Sequence, residues 1–125
     1  MDLEAIKQAV VAALEDIKAK DIVVLDVSKL TSMTDYMIVA SADSNRQTRA
    51  LSSNVQDKLK ELGVPPIGVE GEGNGEWVLV DFGAVVVHIM QPAIREYYSL
   101  EELWGGSRPA AAKAKPVPMS AAAHA

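Results

Sequence analysis

The chain has 125 residues, of which 49% are hydrophobic and 23% are charged, a composition typical of one soluble globular domain. It contains no cysteine, which excludes disulfides and thiolate metal sites and favours a cytoplasmic location. Its net charge of −5 argues against broad binding to nucleic acid, so we expect any contact with an RNA-containing assembly to run through protein. The acidic start around Asp2 and Glu4 is unlike a signal peptide or a membrane span.

Two amphipathic helices are predicted in the first half of the chain. Apolar residues recur at helical spacing over residues 3–17, and Asp2 can cap the start of this helix. A second apolar stripe predicts another helix, which begins at a possible capping box at Ser44. This helix is predicted to end at Gly63, because glycine commonly ends helices. A short third helix is predicted from Pro92 onward.

Five strands are predicted from runs rich in β-branched and aromatic residues. They cover residues 22–27, 36–41, 67–70, 76–80 and 85–90. The first run is almost continuously apolar, which predicts that both of its faces are covered. The element order α-β-β-α-β-β-β-α predicts an α/β two-layer sandwich with a mixed five-stranded sheet, with a helix-containing crossover in the first half and a hairpin in the second.

The predicted hairpin has two faces of different character. Placing its loop at Phe82 and Gly83 sets Trp77 opposite His88, and strand alternation then separates the side chains. The first face is valine-rich and belongs in the core: Val78, Val80, Val85, Val87 and Ile89. The second is mixed: Trp77, Leu79, Asp81, Val86, His88 and Met90. This mixture favours a docking surface anchored by Trp77, while the rival interpretation makes Trp77 a core residue.

Few residues point to catalysis or metal binding. The hairpin and the glycine-rich segment GEGNG before it could bring together Glu70, Glu72, Asp81 and His88. Carboxylates beside glycines are usually solvated and a lone strand histidine is usually packed, so we predict no catalytic residue, metal or cofactor. The segment GEGNG precedes a strand, whereas a phosphate-binding loop opens a helix, and we interpret it as flexible.

Further side chains remain open to two interpretations. Ser41, Asp43 and Ser44 follow a strand, but no nucleophile elbow surrounds them and Ser44 already has a capping role. Arg46 and Arg49 lie in the first turns of the second helix, where positive charge opposes the helix dipole. They mark either an anion or partner site or an ordinary solvated surface. Residues near the end suit a core or an interface equally: Arg95, Tyr97, Tyr98 and Trp104.

Three segments together resemble the ribosomal silencing factor family, also known as the RsfS or Iojap-like family. They read DIVVLDVSKLTSMTDYMIVASADSNRQT, VEGEGNGEWVLVDFGAVVVHIMQ and REYYSLEELW. The residues that carry the resemblance are Asp21, Asp26, Thr34, Asp35, Tyr36, Ser44, Arg46, Glu70, Gly71, Trp77, Asp81, His88, Arg95, Tyr98, Leu100, Glu101, Leu103 and Trp104. Ala84 stands where family members often carry aspartate. The likeness supports one domain over residues 1–104, and the alanine- and proline-rich residues 105–125 are predicted to form a disordered tail.

The resemblance implies a translational repressor and a fold similar to a minimal nucleotidyltransferase domain. Such a protein binds large-subunit ribosomal protein fourteen, blocks joining of the small subunit, and is a homodimer when free. The family's binding surface, carried over to matching positions, consists of Trp77, Leu79, Asp81, His88 and Met90. The alternative is a nucleotidyltransferase-like enzyme acting on a nucleotide or RNA. It would need a Gly-Ser helix start and an Asp-x-Asp pair; the segment Ser41-Ala42-Asp43-Ser44 lacks that glycine, and no Asp-x-Asp occurs in the sequence.

Overall fold

The computed structural model describes residues 2–98 of the chain. The elements follow the predicted order: α1 (Leu3–Asp16), β1 (Lys20–Asp26), β2 (Tyr36–Ser41), α2 (Asn45–Glu61), β3 (Gly68–Glu70), β4 (Trp77–Asp81), β5 (Val85–Met90) and α3 (Pro92–Tyr98). The predicted disordered tail, and the domain limit at residue 104, lie outside the described residues. Every helix and strand that the sequence predicts within residues 2–98 is therefore present.

The five strands form one mixed sheet in the order β1-β2-β5-β4-β3. Strands β2 and β5 are parallel, and the other three neighbouring pairs are antiparallel. The parallel pair requires a long connection between β2 and β5, and this connection contains α2. Helices α1 and α2 pack together on one face of the sheet, which confirms the predicted α/β two-layer arrangement.

Side chains near the helix ends fix where α1 and α2 begin. The Asp2 carboxylate accepts a hydrogen bond of 2.7 Å from a first-turn backbone N–H of α1, and Ser44 Oγ accepts one of 3.1 Å from the N–H of Gln47. The Gln47 amide also donates to the carbonyl oxygen of Ile17 at 3.2 Å. The start of α2 is thereby tied to the end of α1. Gly63 follows α2 with φ +85°, as its predicted role at the helix end requires.

The main core lies between the two long helices and the valine-rich face of the sheet. Its fully buried side chains include Leu14, Leu51, Val55, Leu59, Val78, Val80, Val85, Val87 and Ile89. The five hairpin residues assigned to the core by strand alternation are all in this set. The predicted separation of the hairpin into two faces is therefore confirmed.

Strand β1 lies at the edge of the sheet, and the prediction that both of its faces are covered is wrong. Val24 is 37% exposed, and the ends of the strand are exposed as well. The apolar run has a different explanation, because Ile22 contacts the main core while Leu25 contacts a second cluster on the opposite face. Neither the main core nor the second cluster fully covers this edge strand. The pairing with β2 is irregular near Asp21, which has φ +49°.

The register of the hairpin differs from the prediction by two residues. Trp77 lies opposite Met90, and Leu79 lies opposite His88. The predicted pairing of Trp77 with His88 is therefore wrong. A shift of two residues leaves every side chain on its original face, because side chains alternate with a period of two.

The hairpin loop explains the shift in register. The Phe82 N–H donates to the Val85 carbonyl at 2.9 Å, so the loop consists of Gly83 and Ala84. Phe82 is only 7% exposed and belongs to the main core, which favours its position in the paired ladder. Gly83 takes φ +87°, and its N–H donates to the Asp81 carboxylate at 2.7 Å. Burial of Phe82 thus places the turn one position later in the chain than the sequence predicts.

Candidate docking face of the sheet

The face of the sheet opposite α1 and α2 is the candidate functional site, and we call it the outer face. Strand register and side-chain alternation assign its members across all five strands. They are Val23, Leu25, Met37, Val39, Ser41, Gly68, Glu70, Trp77, Leu79, Asp81, Val86, His88 and Met90. All five predicted partner-binding residues belong to this face, as strand alternation requires.

One part of the outer face is buried in a second apolar cluster. The cluster contains Val27, Met37, Val39, Trp77 and Met90, with Leu25 and Ile94 packed against it. Helix α3 supplies Ile94 and also Arg95, whose Nη1 donates to Ser41 Oγ at 2.8 Å. Arg95 is 8% exposed. The α3 helix therefore covers the end of the outer face at which β2 and β5 terminate.

The five predicted partner-binding residues differ in exposure. His88 and Met90 have no exposed surface, and Trp77 is 8% exposed. Leu79 and Asp81 are half-buried. In the free chain a partner can therefore reach Leu79 and Asp81 directly, while His88 and Met90 lie beneath the surface. The contact with a partner stays a prediction. Of the five residues, the half-buried Leu79 and Asp81 are the ones that offer most surface to a partner.

Two buried side chains of the outer face, Trp77 and His88, form a hydrogen bond with each other. Trp77 Nε1–H donates to His88 Nδ1 at 2.9 Å, with the ring centroids 5.8 Å apart and the ring planes tilted by 50°. Burial lowers the pKa of His88 to about 3, so the imidazole is neutral at pH 7. Because Nδ1 accepts, the proton of the neutral ring is on Nε2. Among the described residues, Nε2 has no hydrogen-bond partner.

The glycine-rich loop, residues 71–75, is held against α2. Arg49 donates from Nε to the carbonyl of Glu72 at 3.0 Å and from Nη2 to the carbonyl of Gly73 at 3.1 Å. The Glu72 carboxylate accepts from Ser52 at 3.0 Å and from Gln56 at 3.1 Å. These bonds oppose our interpretation of the loop as flexible. They also give Arg49 a structural role at the start of α2, whereas Arg46 is exposed.

The side chains considered for metal binding do not converge. Glu72 binds α2, Asp81 accepts a bond within the hairpin loop, and His88 binds Trp77. Within residues 2–98, no group of three or more histidine, aspartate or glutamate side chains is placed to hold a metal ion.

The other polar candidates also have local partners. Asp43 forms an exposed ion pair of 2.7 Å with Lys20, Ser44 caps α2, and Ser41 accepts from Arg95. Tyr97 is 80% exposed, while the Tyr98 side chain and Trp104 lie outside the described residues. No helix in the described part of the chain is long and apolar enough to cross a membrane.

Comparison with known proteins assigns the chain to a family. The family model described as "Ribosomal silencing factor during starvation" matches residues 1–125. The chain is 56% identical over 121 residues to the ribosomal silencing factor RsfS of Chromobacterium violaceum, covering 97% of this chain and 99% of that protein. The chain belongs to the ribosomal silencing factor family. The family resemblance found in the sequence is thereby confirmed.

Two further relatives extend this assignment. A crystal structure of a protein from Chromobacterium violaceum has a TM-score of 0.83 at 59% identity, with 87% of this chain and 91% of that chain covered. The mouse protein "Mitochondrial assembly of ribosomal large subunit protein 1" is 36% identical over 97 residues. That match covers 75% of this chain and 42% of the mouse protein. The ribosomal silencing factor fold is therefore shown by both sequence and structure.

Several residues that carry the ribosomal silencing factor resemblance form hydrogen bonds with the hairpin loop. The backbone N–H groups of Asp35 and Tyr36 donate to the Ala84 carbonyl at 2.8 and 3.0 Å. Thr34 Oγ1 donates to the Gly83 carbonyl at 3.4 Å. This part of the motif therefore fixes the hairpin loop relative to β2.

Sequence reasoning missed Leu25 and Ile94 as members of the outer face and its cluster. The alternation in β1 indicates two faces, but it does not show which one joins Trp77 until the β2–β5 pairing is known. Ile94 precedes Arg95 in the short α3 helix, and the sequence provides no signal for which sheet face that helix covers. The missing information is thus the pairing of distant segments.

We expect acid to destabilise this ribosomal silencing factor family member through His88. The pKa of His88 is about 3 in the folded chain and 6.5 when unperturbed, so protonation favours the unfolded chain. Its contribution to stability is complete above pH 6.5 and is lost as the pH falls towards 3, by about 1.4 kcal/mol for each pH unit. Urea unfolding at pH 7, 6, 5 and 4 measures this loss.

The matched control is His88→Asn, which does not titrate in this range. Because carboxylates also titrate in acid, the difference in unfolding free energy between parent and variant isolates the histidine. As the pH falls, the unfolding free energy of the parent should therefore decrease more than that of His88→Asn. Parallel pH profiles of the two proteins would show that His88 is not buried as the neutral form.

Proposed function

We propose that this chain represses translation by binding the large ribosomal subunit through ribosomal protein fourteen and thereby blocking its association with the small subunit. The observation that carries the proposal is a half-buried strip on the outer face, formed by Leu79, Asp81 and Val86, in a chain that belongs to the ribosomal silencing factor family. The mouse relative's name also refers to the large ribosomal subunit. The family supplies the ribosomal context, and the outer face supplies a surface.

The composition of the strip suits a protein partner. Leu79 and Val86 are half-buried apolar residues on neighbouring strands, and Asp81 lies opposite Val86. Leu79 lies opposite Glu70, which is exposed at the end of β3. An apolar centre with acidic neighbours matches a partner surface that carries arginine and lysine around an apolar patch. The net charge of −5 acts in the same direction by attracting a basic protein.

The mechanism we propose is occlusion, in which a bound protein occupies the space needed by the small subunit. Occlusion needs a stable interface and no catalytic group, cofactor or metal. The nucleotidyltransferase alternative finds no support in Asp43, which is exposed and paired with Lys20, or in Asp81, which accepts a bond from the hairpin loop. We further propose a cytoplasmic protein that is a homodimer when free and that contacts neither a membrane nor a specific nucleic acid sequence.

The variant Leu79→Lys tests the outer face. It removes an apolar contact and introduces a positive charge into an acidic surface, so we expect a loss of affinity for large subunits of about tenfold or more. Co-sedimentation of the purified chain with large subunits measures this affinity. Because Leu79 is only half-buried and is not part of either core cluster, the variant should still fold.

Val24→Lys is the matched control. It makes a similar change at a residue that is 37% exposed in a strand but lies on the face towards the helices. We expect it to bind large subunits like the parent. Equal binding by parent, Leu79→Lys and Val24→Lys would place the contact elsewhere on the molecule.

A further inference from the structure

The contact between Trp77 and His88 is a diagonal one across two neighbouring strands. Trp77 lies opposite Met90 and His88 lies opposite Leu79, so the two rings meet along the outer face from positions that are not paired. The bond of 2.9 Å from indole Nε1–H to imidazole Nδ1 joins them. A directional bond from a fixed strand position restricts the rotation of the indole in a way that apolar contacts do not.

Packing alone does not account for an imidazole at position 88. The side chain is fully buried, and its Nε2–H has no hydrogen-bond partner among the described residues. A buried donor without an acceptor costs free energy, which an apolar side chain of similar size would avoid. What the imidazole adds is the Nδ1 acceptor for the indole of Trp77.

We propose that His88 is the positioning residue for Trp77: its Nδ1 holds the indole in the orientation that shapes the docking surface around Leu79. This inference rests on the proposed function of the outer face. It assigns His88 a different role from direct contact, because a side chain with no exposed surface acts on a partner through its neighbours. Leu79 lies opposite His88 and two residues from Trp77 on β4, so both members of the hydrogen-bonded pair are neighbours of Leu79 on the outer face.

The orientation of the indole can be tested in the free chain by NMR. The chain has two tryptophans, and Trp77→Phe identifies which indole N–H resonance belongs to Trp77. In His88→Leu, which lacks the acceptor, this resonance should move upfield and its proton should exchange faster with water. In His88→Asn, whose side-chain oxygen can lie near the position of Nδ1, the resonance should stay closer to the parent. An unchanged resonance in His88→Leu would overturn the inference.

The consequence for binding is tested by a double-mutant cycle. We expect His88→Leu to reduce affinity for large subunits about tenfold, His88→Asn to reduce it less than threefold, and Trp77→Phe to reduce it about as much as His88→Leu. In the Trp77→Phe background, His88→Leu should have no further effect. An undiminished loss in that background would overturn the positioning role, since His88 would then act independently of the indole N–H.

Thermal unfolding shows which binding losses come from misfolding. If His88→Leu fails to fold, Trp77→Phe still removes the same hydrogen bond while leaving His88 in place. Normal binding by folded Trp77→Phe would then overturn the inference. Failure of the proposed function has a different signature, because Leu79→Lys would then bind like the parent whatever happens to the indole resonance.

Discussion

Gly71→Ala is expected to destabilise the chain by about 3 kcal/mol or more. Gly71 has φ +89°, a conformation that residues with a Cβ rarely adopt, and a Cβ added there would lie 2.1 Å from the backbone carbonyl oxygen of Trp77. A backbone atom in the paired strand β4 cannot move aside without disrupting the hairpin. Urea unfolding at neutral pH measures the change in unfolding free energy.

Two other glycines separate the clash from backbone strain. A Cβ at Gly73, in the same loop, meets no atom within 4 Å, and Gly73 does not have a positive φ in the strained range. Gly63 has φ +85° but also has open space around it. We expect Gly73→Ala to change stability by less than about 1 kcal/mol and Gly63→Ala to cost about 1 kcal/mol. A loss in Gly71→Ala no larger than that in Gly63→Ala would show that the loop is not held against Trp77.

Trp77→Ala is expected to lower the unfolding free energy by about 3–5 kcal/mol, because it removes a large side chain from the second apolar cluster. The strand pattern alone favours a docking anchor at Trp77 over a core residue. At 8% exposure, the indole is a core residue of the outer face, whatever its part in the proposed contact. Thermal and urea unfolding measure the loss, and a variant that melts like the parent would contradict this packing.

Because Trp77→Ala alters stability, its binding has to be measured where the variant is fully folded. Under those conditions we still expect weaker binding, since the half-buried strip lies beside the indole. The loss of affinity should be smaller in Trp77→Phe, which keeps most of the ring volume. This order would support the view that Trp77 shapes the surface as well as stabilising the fold.

Local signals in the sequence were sufficient to predict most of the elements. Asp2 and Ser44 mark helix starts because their side chains accept bonds from the next turn, and Gly63 marks a helix end because it adopts a positive φ. The two faces of the hairpin were also predictable, since side-chain alternation survives a register shift of two residues. These features depend on residues that are close in sequence.

Features that depend on distant residues were not predictable in the same way. The hairpin register follows from burial of Phe82 in a core built largely from α1, α2 and the sheet. The glycine-rich loop is held by hydrogen bonds from Arg49, which is 23 residues from Glu72 in the sequence. An arginine near a helix start and glycines near a strand each suggest flexibility or solvation until their mutual contact is known.

The candidate site illustrates the same limit. Strand alternation placed Trp77, Leu79 and Asp81 on one face, but it did not indicate how much of each is exposed. The burial of Trp77 depends in part on α3, which packs Ile94 against the same cluster and binds Ser41 through Arg95. The sequence therefore predicted which residues share the face, whereas their division into exposed and buried members required the packed structure.

Subunit joining is the most direct test of the proposed repression. Large subunits saturated with the parent chain, with Leu79→Lys or with Val24→Lys are mixed with small subunits, and joined ribosomes are quantified by sucrose-gradient sedimentation. We expect the parent and Val24→Lys to reduce joining strongly, and Leu79→Lys at the same concentration to reduce it much less. Normal joining by large subunits that retain the bound parent chain would contradict occlusion.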